Sequence, residues 1–279
     1  MRTIEAAKIS KAVENLCSEA SFELPSDVLK SLREAADKES GVAKNVLLEI
    51  IENAEIAVKE KIPLCQDTGT ANFFINLGRD VYLSGESIYD AVNKGVSKSY
   101  TENYLRKSIL SDPLERKNTG DNTPANIYVN IVEGDKVEIT FLPKGGGSEN
   151  ASALKMLTPS SGWKGVKDFV MESLKAKGSN ACPPLVVGIG IGGDFASAGK
   201  IAKEALLRKI GERNAAPTYA AKEKELLEEI NSLNIGPMGM GGKTTALDVF
   251  INTKPSHIAS LAVAVSIQCH SCRRKTVII

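Results

Sequence analysis

The sequence predicts a mixed α/β protein in which N-terminal helices precede a central, at least partly antiparallel sheet flanked by helices. The first 60 residues repeat apolar side chains at helical spacing. Residues 127–132 and 137–142 each alternate apolar and polar positions around a Gly-Asp pair, which predicts a β-hairpin. An apolar run at 185–191 ends in glycines just before a helical stretch. Because helices come first and strands mixed with helices follow, the order of the elements favours a mixed α/β domain with one central sheet.

The order of the elements follows from these local patterns. Three helices are predicted in the N-terminal part, and Ser26 is a good N-cap for the second of them. We expect one domain over residues 1–279, with a helical part of about 1–62 and a mixed part of about 63–279. The remaining predicted elements are a strand at 72–77, helices at 87–105, 149–157, 164–177, 196–210 and 223–233, and strands at 245–252 and 258–267.

The composition is that of a globular chain with almost no net charge. Lys and Arg number 35 against 34 Asp and Glu, which gives a net charge of +1. This balance argues against a nucleic-acid binder, because such proteins neutralise phosphates, and against a polybasic membrane anchor. No uncharged apolar run reaches about 18 residues, and the N-terminus has no signal-peptide core. We therefore expect a cytoplasmic protein with no nucleic-acid or membrane partner.

Three glycine-rich segments resemble anion-binding loops. Gly188–Gly193 fits G-x-G-x-x-G, but the acidic residue expected about 20 residues further on is missing. This disfavours a dinucleotide-dependent oxidoreductase and favours a turn that lets a helix pack closely. The segment before Lys243 has Pro237 where a P-loop needs glycine. Three successive glycines at 145–147 follow a strand, so their amides are expected to bind a carboxylate or phosphate.

The five cysteines occupy two kinds of position. Cys65, Cys182 and Cys269 each lie at the end of a predicted element among polar or turn residues, where a thiolate is accessible. Cys17 lies beside apolar residues on the first helix and is expected in the core. The odd number argues against a disulfide framework. Three separated cysteines can hold three corners of a 4Fe–4S cluster, while a zinc site and cysteines without metal remain open alternatives.

Five short segments stand out in combination. They are Cys-Gln-Asp-Thr-Gly at 65–69, Gly-Asp-Asn-Thr-Pro at 120–124, Lys-Gly-Gly-Gly-Ser-Glu-Asn at 144–150, Cys-Pro-Pro at 182–184 and Gln-Cys-His at 268–270. With this combination the chain resembles the iron–sulfur hydro-lyases. More narrowly, it resembles the α subunits of class I fumarate hydratases and L-tartrate dehydratases. The resemblance runs from about residue 10 to the end of the sequence.

The resemblance implies a cofactor and a set of site residues. The cofactor is a 4Fe–4S cluster with three cysteine ligands and one open iron, and Cys272 is an alternative to the third ligand. Asp67 and His257 are implied to relay protons or to orient the leaving water. The implied cluster ligands are Cys65, Cys182 and Cys269, and the implied substrate contacts are Gln66, Asp67, Arg106, Gly146 and Gly147.

The resemblance also implies a partner and a reaction. Members with a single chain continue into a second domain that supplies the catalytic base, and in two-subunit members that domain is a separate β subunit. We therefore expect an α₂β₂ assembly that is active only with its β subunit. The expected reaction is the reversible dehydration of a small C4 2-hydroxy dicarboxylate, (S)-malate to fumarate first, with L-tartrate dehydratase or mesaconate hydratase activity as alternatives. A metal-binding structural module without catalysis is the alternative from a different class.

Overall fold

The predicted mixed α/β class is confirmed in the computed structural model, which describes residues 1–279. No helix is both long and apolar enough to cross a membrane. The helices are α1 Ala6–Phe22, α2 Ser26–Lys38, α3 Gly41–Glu60, α4 Ile88–Glu102, α5 Gly146–Asn150, α6 Gly162–Lys177, α7 Phe195–Ala205 and α8 Pro217–Asn231. The strands are β1 Arg2–Glu5, β2 Thr70–Gly78, β3 Val81–Ser84, β4 Asn126–Val132, β5 Val137–Lys144, β6 Ala153–Leu157, β7 Leu185–Gly192, β8 Ala246–Lys254, β9 Leu261–Gln268 and β10 Lys275–Ile278.

The chain divides into two compact units, each with its own four-stranded sheet. Unit one contains Met1–Pro25, Ala54–Gly146 and Arg273–Ile279, and unit two contains Ser26–Asn53 and Gly147–Cys272. The expectation of one central sheet was therefore wrong. Sheet membership depends on pairing between segments far apart in the chain, which local periodicity does not encode. The description of the chain as one domain stays a prediction.

The sheet of unit one has the strand order β10-β5-β2-β4. The predicted hairpin was wrong, because β4 and β5 are not neighbours and β2 lies between them, parallel to β4 and antiparallel to β5. The amides of Gly78 and Asp80 donate to the carbonyls of Lys136 and Gly134 at 2.8 and 3.0 Å. The end of β2 thus takes the backbone partners that a hairpin would use. The sheet is nevertheless partly antiparallel, as predicted.

Helices α1 and α4 bury their apolar sides in the core of unit one. Ile9 and Val13 are fully buried on α1, in agreement with their predicted helical spacing. Ser87 caps α4, since its Oγ accepts the amide of Asp90 at 3.1 Å. Tyr100, near the end of α4, is fully buried. This packing brings the last turn of α4 into the interior, where it meets the chain that precedes β2.

The sheet of unit two has the order β6-β9-β7-β8, with helices on both faces. Alternate residues of β7 point to opposite faces, as the pleat of a strand requires. Leu185, Val187 and Ile189 pack in the core formed with α6 and α8. On the other face, Gly188 and Gly190 lie against α7. Because β7 is buried on both faces, its sequence is a continuous run of apolar residues and glycines.

One predicted helix was wrong over part of its length. The helix expected at 149–157 ends at Asn150, and the following residues form β6, which pairs antiparallel with β9 from Ala153–Val265 to Leu157–Leu261. The short strands β1 and β10, of four residues each, were not predicted. In all three cases the segment is too short for its own periodicity to decide, so pairing with a distant strand fixes its conformation.

The Gly188–Gly193 segment has the predicted packing role. A Cβ atom on Gly188 would lie 2.2 Å from the carbonyl oxygen of Ala202, and one on Gly190 would lie 2.3 Å from that of Ala198. Both distances are far below a van der Waals contact. The two glycines therefore allow the backbone of α7 to lie directly on β7, which accounts for the segment without a dinucleotide.

We expect Gly190→Ala to lower the free energy of unfolding by about 1–3 kcal/mol, because the new methyl group would force α7 away from β7. Urea denaturation of the purified protein measures this change. Gly199→Ala is the matched control, since a Cβ at Gly199 on the same helix meets nothing within 4 Å. That control is expected to leave stability unchanged or to raise it by up to about 1 kcal/mol. Equal effects of the two substitutions would contradict the packing role.

The glycine-rich segment before Thr244 is held by an internal carboxylate. The amide of Thr244 donates to Oε1 of Glu39 at 2.6 Å, and Glu39 is buried. A Cβ on Gly236 would overlap the carbonyl of Gly241, so the segment folds back tightly on itself. The amide that follows the lysine in a P-loop is thus engaged by protein, which agrees with the rejection of a nucleoside-triphosphate site.

Candidate active site

The first cysteine motif forms a turn of unit one between α3 and β2. Cys65 and Gln66 are exposed, Asp67 is half-buried, and Thr68 and Gly69 are buried. Leu64 anchors the start of the turn, because its buried side chain lies in the interior and its amide donates to the carbonyl of Ser21 at 2.9 Å. The motif therefore presents its first two side chains to solvent and buries its other end. We call residues 65–69 the Cys65 loop.

Three buried side chains bind the three consecutive carbonyl groups of residues 67–69. Arg273 donates from Nη2 to the first carbonyl at 3.0 Å. The hydroxyl of Tyr100 lies 3.1 Å from both the second and the third, and Asn122 donates from Nδ2 to the third at 3.2 Å. Burial raises the pKa of Tyr100, so its hydroxyl remains protonated and able to donate. The backbone of the Cys65 loop is thus fixed from three separate parts of the chain.

The carboxylate of Asp67 accepts hydrogen bonds from two backbone amides. Its Oδ1 accepts from Gly69 at 3.1 Å, and its Oδ2 accepts from Gly146 at 2.7 Å. A Cβ on Gly145 would lie 2.9 Å from Oδ2, so the absence of a side chain there lets the carboxylate approach. The structure therefore brings Asp67 and Gly146 together. The carboxylate of Asp67 thus occupies one amide of the predicted backbone anion site, that of Gly146.

Arg106 is also attached to the Cys65 loop. Its carbonyl accepts the hydroxyl of Thr68 at 3.0 Å, while its side chain is exposed. Leu105, just before it, is buried and donates its amide to the carbonyl of Tyr100 at 3.1 Å. The backbone of Arg106 is therefore fixed next to the loop, and its guanidinium is free to reach a ligand. Its predicted role as a carboxylate clamp stays a prediction.

Cys182 and Cys269 lie at the same edge of the sheet in unit two. Cys182 precedes β7 and Cys269 follows β9, and these strands are antiparallel, with Val186 opposite Gln268. The backbone amide of His270 donates to the carbonyl of Cys182 at 3.2 Å, which connects the two segments directly. The pairing of β7 with β9 thus brings together two cysteines that are 87 residues apart in the sequence.

Gly147 belongs to the same edge of unit two. A Cβ on Gly147 would lie 3.2 Å from the carbonyl oxygen of Asn180, two residues before Cys182. Ser148 donates from Oγ to Oε1 of Gln268 at 3.4 Å, next to Cys269. Gly147 and Ser148 are therefore in contact with the segments that carry both cysteines of this unit.

Accessibility separates the five cysteines, none of which forms a disulfide. Cys65 and Cys182 are exposed and Cys269 is partly exposed, whereas Cys17 and Cys272 are fully buried. Cys17 lies in the core as predicted, and this burial raises the pKa of its thiol. Buried Cys272 is a poorer candidate for the third ligand than Cys269. Accessible thiols are of the chemical type that binds the iron of an iron–sulfur cluster, and no three His, Cys, Asp or Glu side chains are gathered in a metal-binding arrangement.

His257 lies apart from the cysteines of its unit, and its implied role in relaying protons or orienting water stays a prediction. It follows β8 and precedes β9, so it occupies the edge opposite to Cys182 and Cys269. The eight residues of β9 separate the edges by roughly 24 Å. His257 is exposed, and its Nδ1 accepts the amide of Ala259 at 3.1 Å. Proximity to Cys269 in sequence is misleading here because the intervening residues form an extended strand.

Three residues that fix the Cys65 loop were not predicted as functional. Asn122 lies in the Gly-Asp-Asn-Thr-Pro segment. This segment contributed to the family resemblance, but no role was predicted for Asn122. Arg273 follows Cys269 by four residues, and Tyr100 reads as an ordinary helix residue. The burial of an Asn or an Arg is hard to predict from the sequence, because both residue types are usually exposed. Their contacts over distances of 53 and 206 residues become visible only in the fold.

The comparison with known proteins identifies the class of this chain. Its sequence matches the family described as Fumarate hydratase (Fumerase) over residues 10–278. A protein of Methanocaldococcus jannaschii, provisionally named L(+)-tartrate dehydratase subunit alpha, is 48% identical over 274 residues, which is 96% of each chain. The L(+)-tartrate dehydratase alpha subunits of Escherichia coli strain K12 and Shigella sonnei are 33% identical over 276 residues, 98% of this chain and 91% of theirs.

This chain belongs to the fumarate hydratase family. Hydration of fumarate adds water across a carbon–carbon double bond, so the chain is a protein of the hydro-lyase class. The family resemblance that the five sequence segments predicted is thereby confirmed.

Proposed function

We propose that this chain is the α subunit of a two-subunit hydro-lyase that removes water reversibly from a C4 2-hydroxy dicarboxylate. One observation supports the proposal most strongly. The three cysteines that match the ligand positions of the family are accessible to solvent, whereas the other two cysteines are buried. The alpha-subunit names of the relatives support a separate β subunit as partner. We propose an α₂β₂ assembly.

In this proposal Cys65, Cys182 and Cys269 hold a 4Fe–4S cluster. When bound, such a cluster supplies Lewis-acid polarisation of the hydroxyl group that leaves, with no change of oxidation state required. The chain's contribution is to keep the three thiols accessible and in fixed segments. The Cys65 loop does so through its three bound carbonyls, and the other two cysteines do so through the pairing of β7 with β9.

The substrate would be held mainly by residues around the Cys65 loop. The exposed guanidinium of Arg106 is suited to a bidentate contact with a carboxylate. The exposed amide of Gln66 can orient a second oxygen, and the amides of Gly146 and Gly147 can bind a carboxylate if Asp67 yields its place. Asp67, held by two amides, would orient the leaving water in dehydration, and in the hydration direction it would accept a proton from the attacking water. The implied role of His257 stays a prediction, and a β subunit would supply the base.

Two substrates are supported by different findings. The description of the matching family favours hydration of fumarate to (S)-malate, which we propose as the principal reaction. The names of the relatives favour L-tartrate as a second candidate, which differs from malate by a second hydroxyl group. Mesaconate, a methylated analogue of fumarate, is a further substrate to test.

The proposal is tested by anaerobic co-expression of the chain with a β chain from the same organism. We expect about four irons per α chain, hydration of fumarate by the pair, and no activity of either chain alone. Assays with L-tartrate and mesaconate in parallel identify the substrate. An iron-loaded pair that turns over none of the three would refute the proposed substrate class, and an iron-free pair prepared under strict anaerobiosis would refute the cofactor.

A further inference from the structure

We infer that Arg273 is a positioning residue of this site, which fixes the Cys65 loop and balances the negative charge that gathers there when the site is loaded. The inference rests on the proposed function, since that function supplies the anion. It assigns to Arg273 a role that neither the sequence motifs nor the family match assigns to it.

The guanidinium of Arg273 is buried and largely unpaired. Only 2% of the residue is exposed. Its Nη2 donates to the carbonyl of Asp67, whereas Nε and Nη1 are buried without any hydrogen-bond partner. A guanidinium carries five N–H donors and a permanent charge, so arginine is almost never fully buried unless it is paired. Leaving such donors unsatisfied destabilises a folded protein.

Asp67, whose carbonyl accepts from Nη2, supplies no partner for Nε and Nη1 of Arg273. Asp67 contributes its backbone carbonyl to Arg273, while its carboxylate accepts the amides of Gly69 and Gly146. The second and third carbonyls of the loop are occupied by Tyr100 and Asn122. The carbonyls of residues 67–69 are therefore occupied, and two N–H groups of the positively charged Arg273 side chain stay without partners next to the backbone of Asp67.

An anion at the site would supply the missing partner. The proposed function brings two kinds of anion to the Cys65 loop: cysteine thiolates bound to a cluster, and a dicarboxylate substrate. Both offer the same chemistry to a guanidinium, namely acceptor atoms that carry negative charge. Arg273 therefore lowers the stability of the empty chain and raises that of the loaded chain. An arginine that only holds the fold would stabilise both states equally.

The test compares the full-length chain with Arg273→Met and Arg273→Lys, with Lys275→Met as control. Lys275 is two residues further on, and it pairs with Glu19 and Glu23 at the surface. Thermal unfolding is measured for the empty chain, after anaerobic cluster reconstitution, and after addition of malate or L-tartrate to each form. The reconstitution step and the dicarboxylate step separate the two sources of the anion.

We expect empty Arg273→Met to unfold at a Tm equal to or above that of the wild type. Its gain in Tm on loading should be smaller than the wild-type gain by about 3 °C or more. Arg273→Lys keeps the charge and should restore part of this gain, while Lys275→Met should gain as much as the wild type. In the assembled enzyme, Arg273→Met should lose about 100-fold in kcat/KM, as expected when a reacting group is displaced.

Two results would overturn the inference. One is an Arg273→Met chain with a lower Tm when empty and an unchanged gain on loading. The other is failure of both variants to fold. Failure of the proposed function gives a different pattern, because an inactive pair can still show a loading gain that depends on Arg273. If the wild-type chain takes up no iron, the cofactor assignment fails and the dicarboxylate step alone decides the inference.

Discussion

Replacing Cys65 with serine is expected to abolish cluster binding and activity together. A cysteine binds iron as a thiolate, and a serine hydroxyl ionises far less readily, so serine does not replace it as a ligand. Cys65 is exposed, so the substitution removes no buried contact and the fold should remain intact. Iron and sulfide analysis of the anaerobically purified protein, together with the fumarate hydration assay, measures both losses. Thermal unfolding of the empty chain should be unchanged.

Cys272→Ala is the matched control for this experiment. Cys272 lies three residues after Cys269 but is fully buried, so its replacement should leave the iron content near that of the wild type. Cys269→Ala should lose iron, as Cys65→Ser does. A fully loaded, active Cys65→Ser protein would refute the proposed ligand set. Loss of iron in Cys272→Ala with retention in Cys269→Ala would make Cys272 the third ligand.

Asp67→Asn is expected to reduce kcat by about 10²- to 10⁴-fold while iron content stays unchanged. The carboxylate of Asp67 accepts one amide on each oxygen, from Gly69 and Gly146. An asparagine has one acceptor oxygen, and its NH₂ group would face one of these amides instead of binding it. The substitution therefore removes the negative charge and disturbs the geometry of the loop at once. Steady-state kinetics of the assembled enzyme measures the effect.

Asp112→Asn controls for the general effect of such a change. Asp112 also accepts two backbone amides, those of Leu114 and Glu115 at 2.8 Å, but it uses a single oxygen and lies in an exposed turn. An asparagine can keep both bonds there, so activity should be unchanged. If Asp67→Asn proved as active as Asp112→Asn, Asp67 would have no part in the chemistry.

Local pattern in the sequence was sufficient for several features of this protein. The apolar spacing on α1 predicted its buried face, because burial on one side of a helix leaves a regular repeat. The position of Cys65, Cys182 and Cys269 at element ends predicted accessible thiols, and Cys17 on a helix face predicted a buried one. The combination of five short segments identified the family. Each of these inferences uses patterns within short segments of the chain and requires no knowledge of contacts between distant segments.

Other features were decided only by the tertiary structure. The insertion of β2 between β4 and β5 could not be inferred from two strands flanking a turn, since a turn does not specify what lies between its arms. The position of His257 follows from the direction of β9, and the role of Arg273 follows from a contact with Asp67 across 206 residues. The sequence by itself therefore determined the fold class, the family and the candidate ligands. The strand order, the edge on which each residue lies and the residues that fix the Cys65 loop depend on backbone pairing and burial between distant segments, which only the folded chain defines.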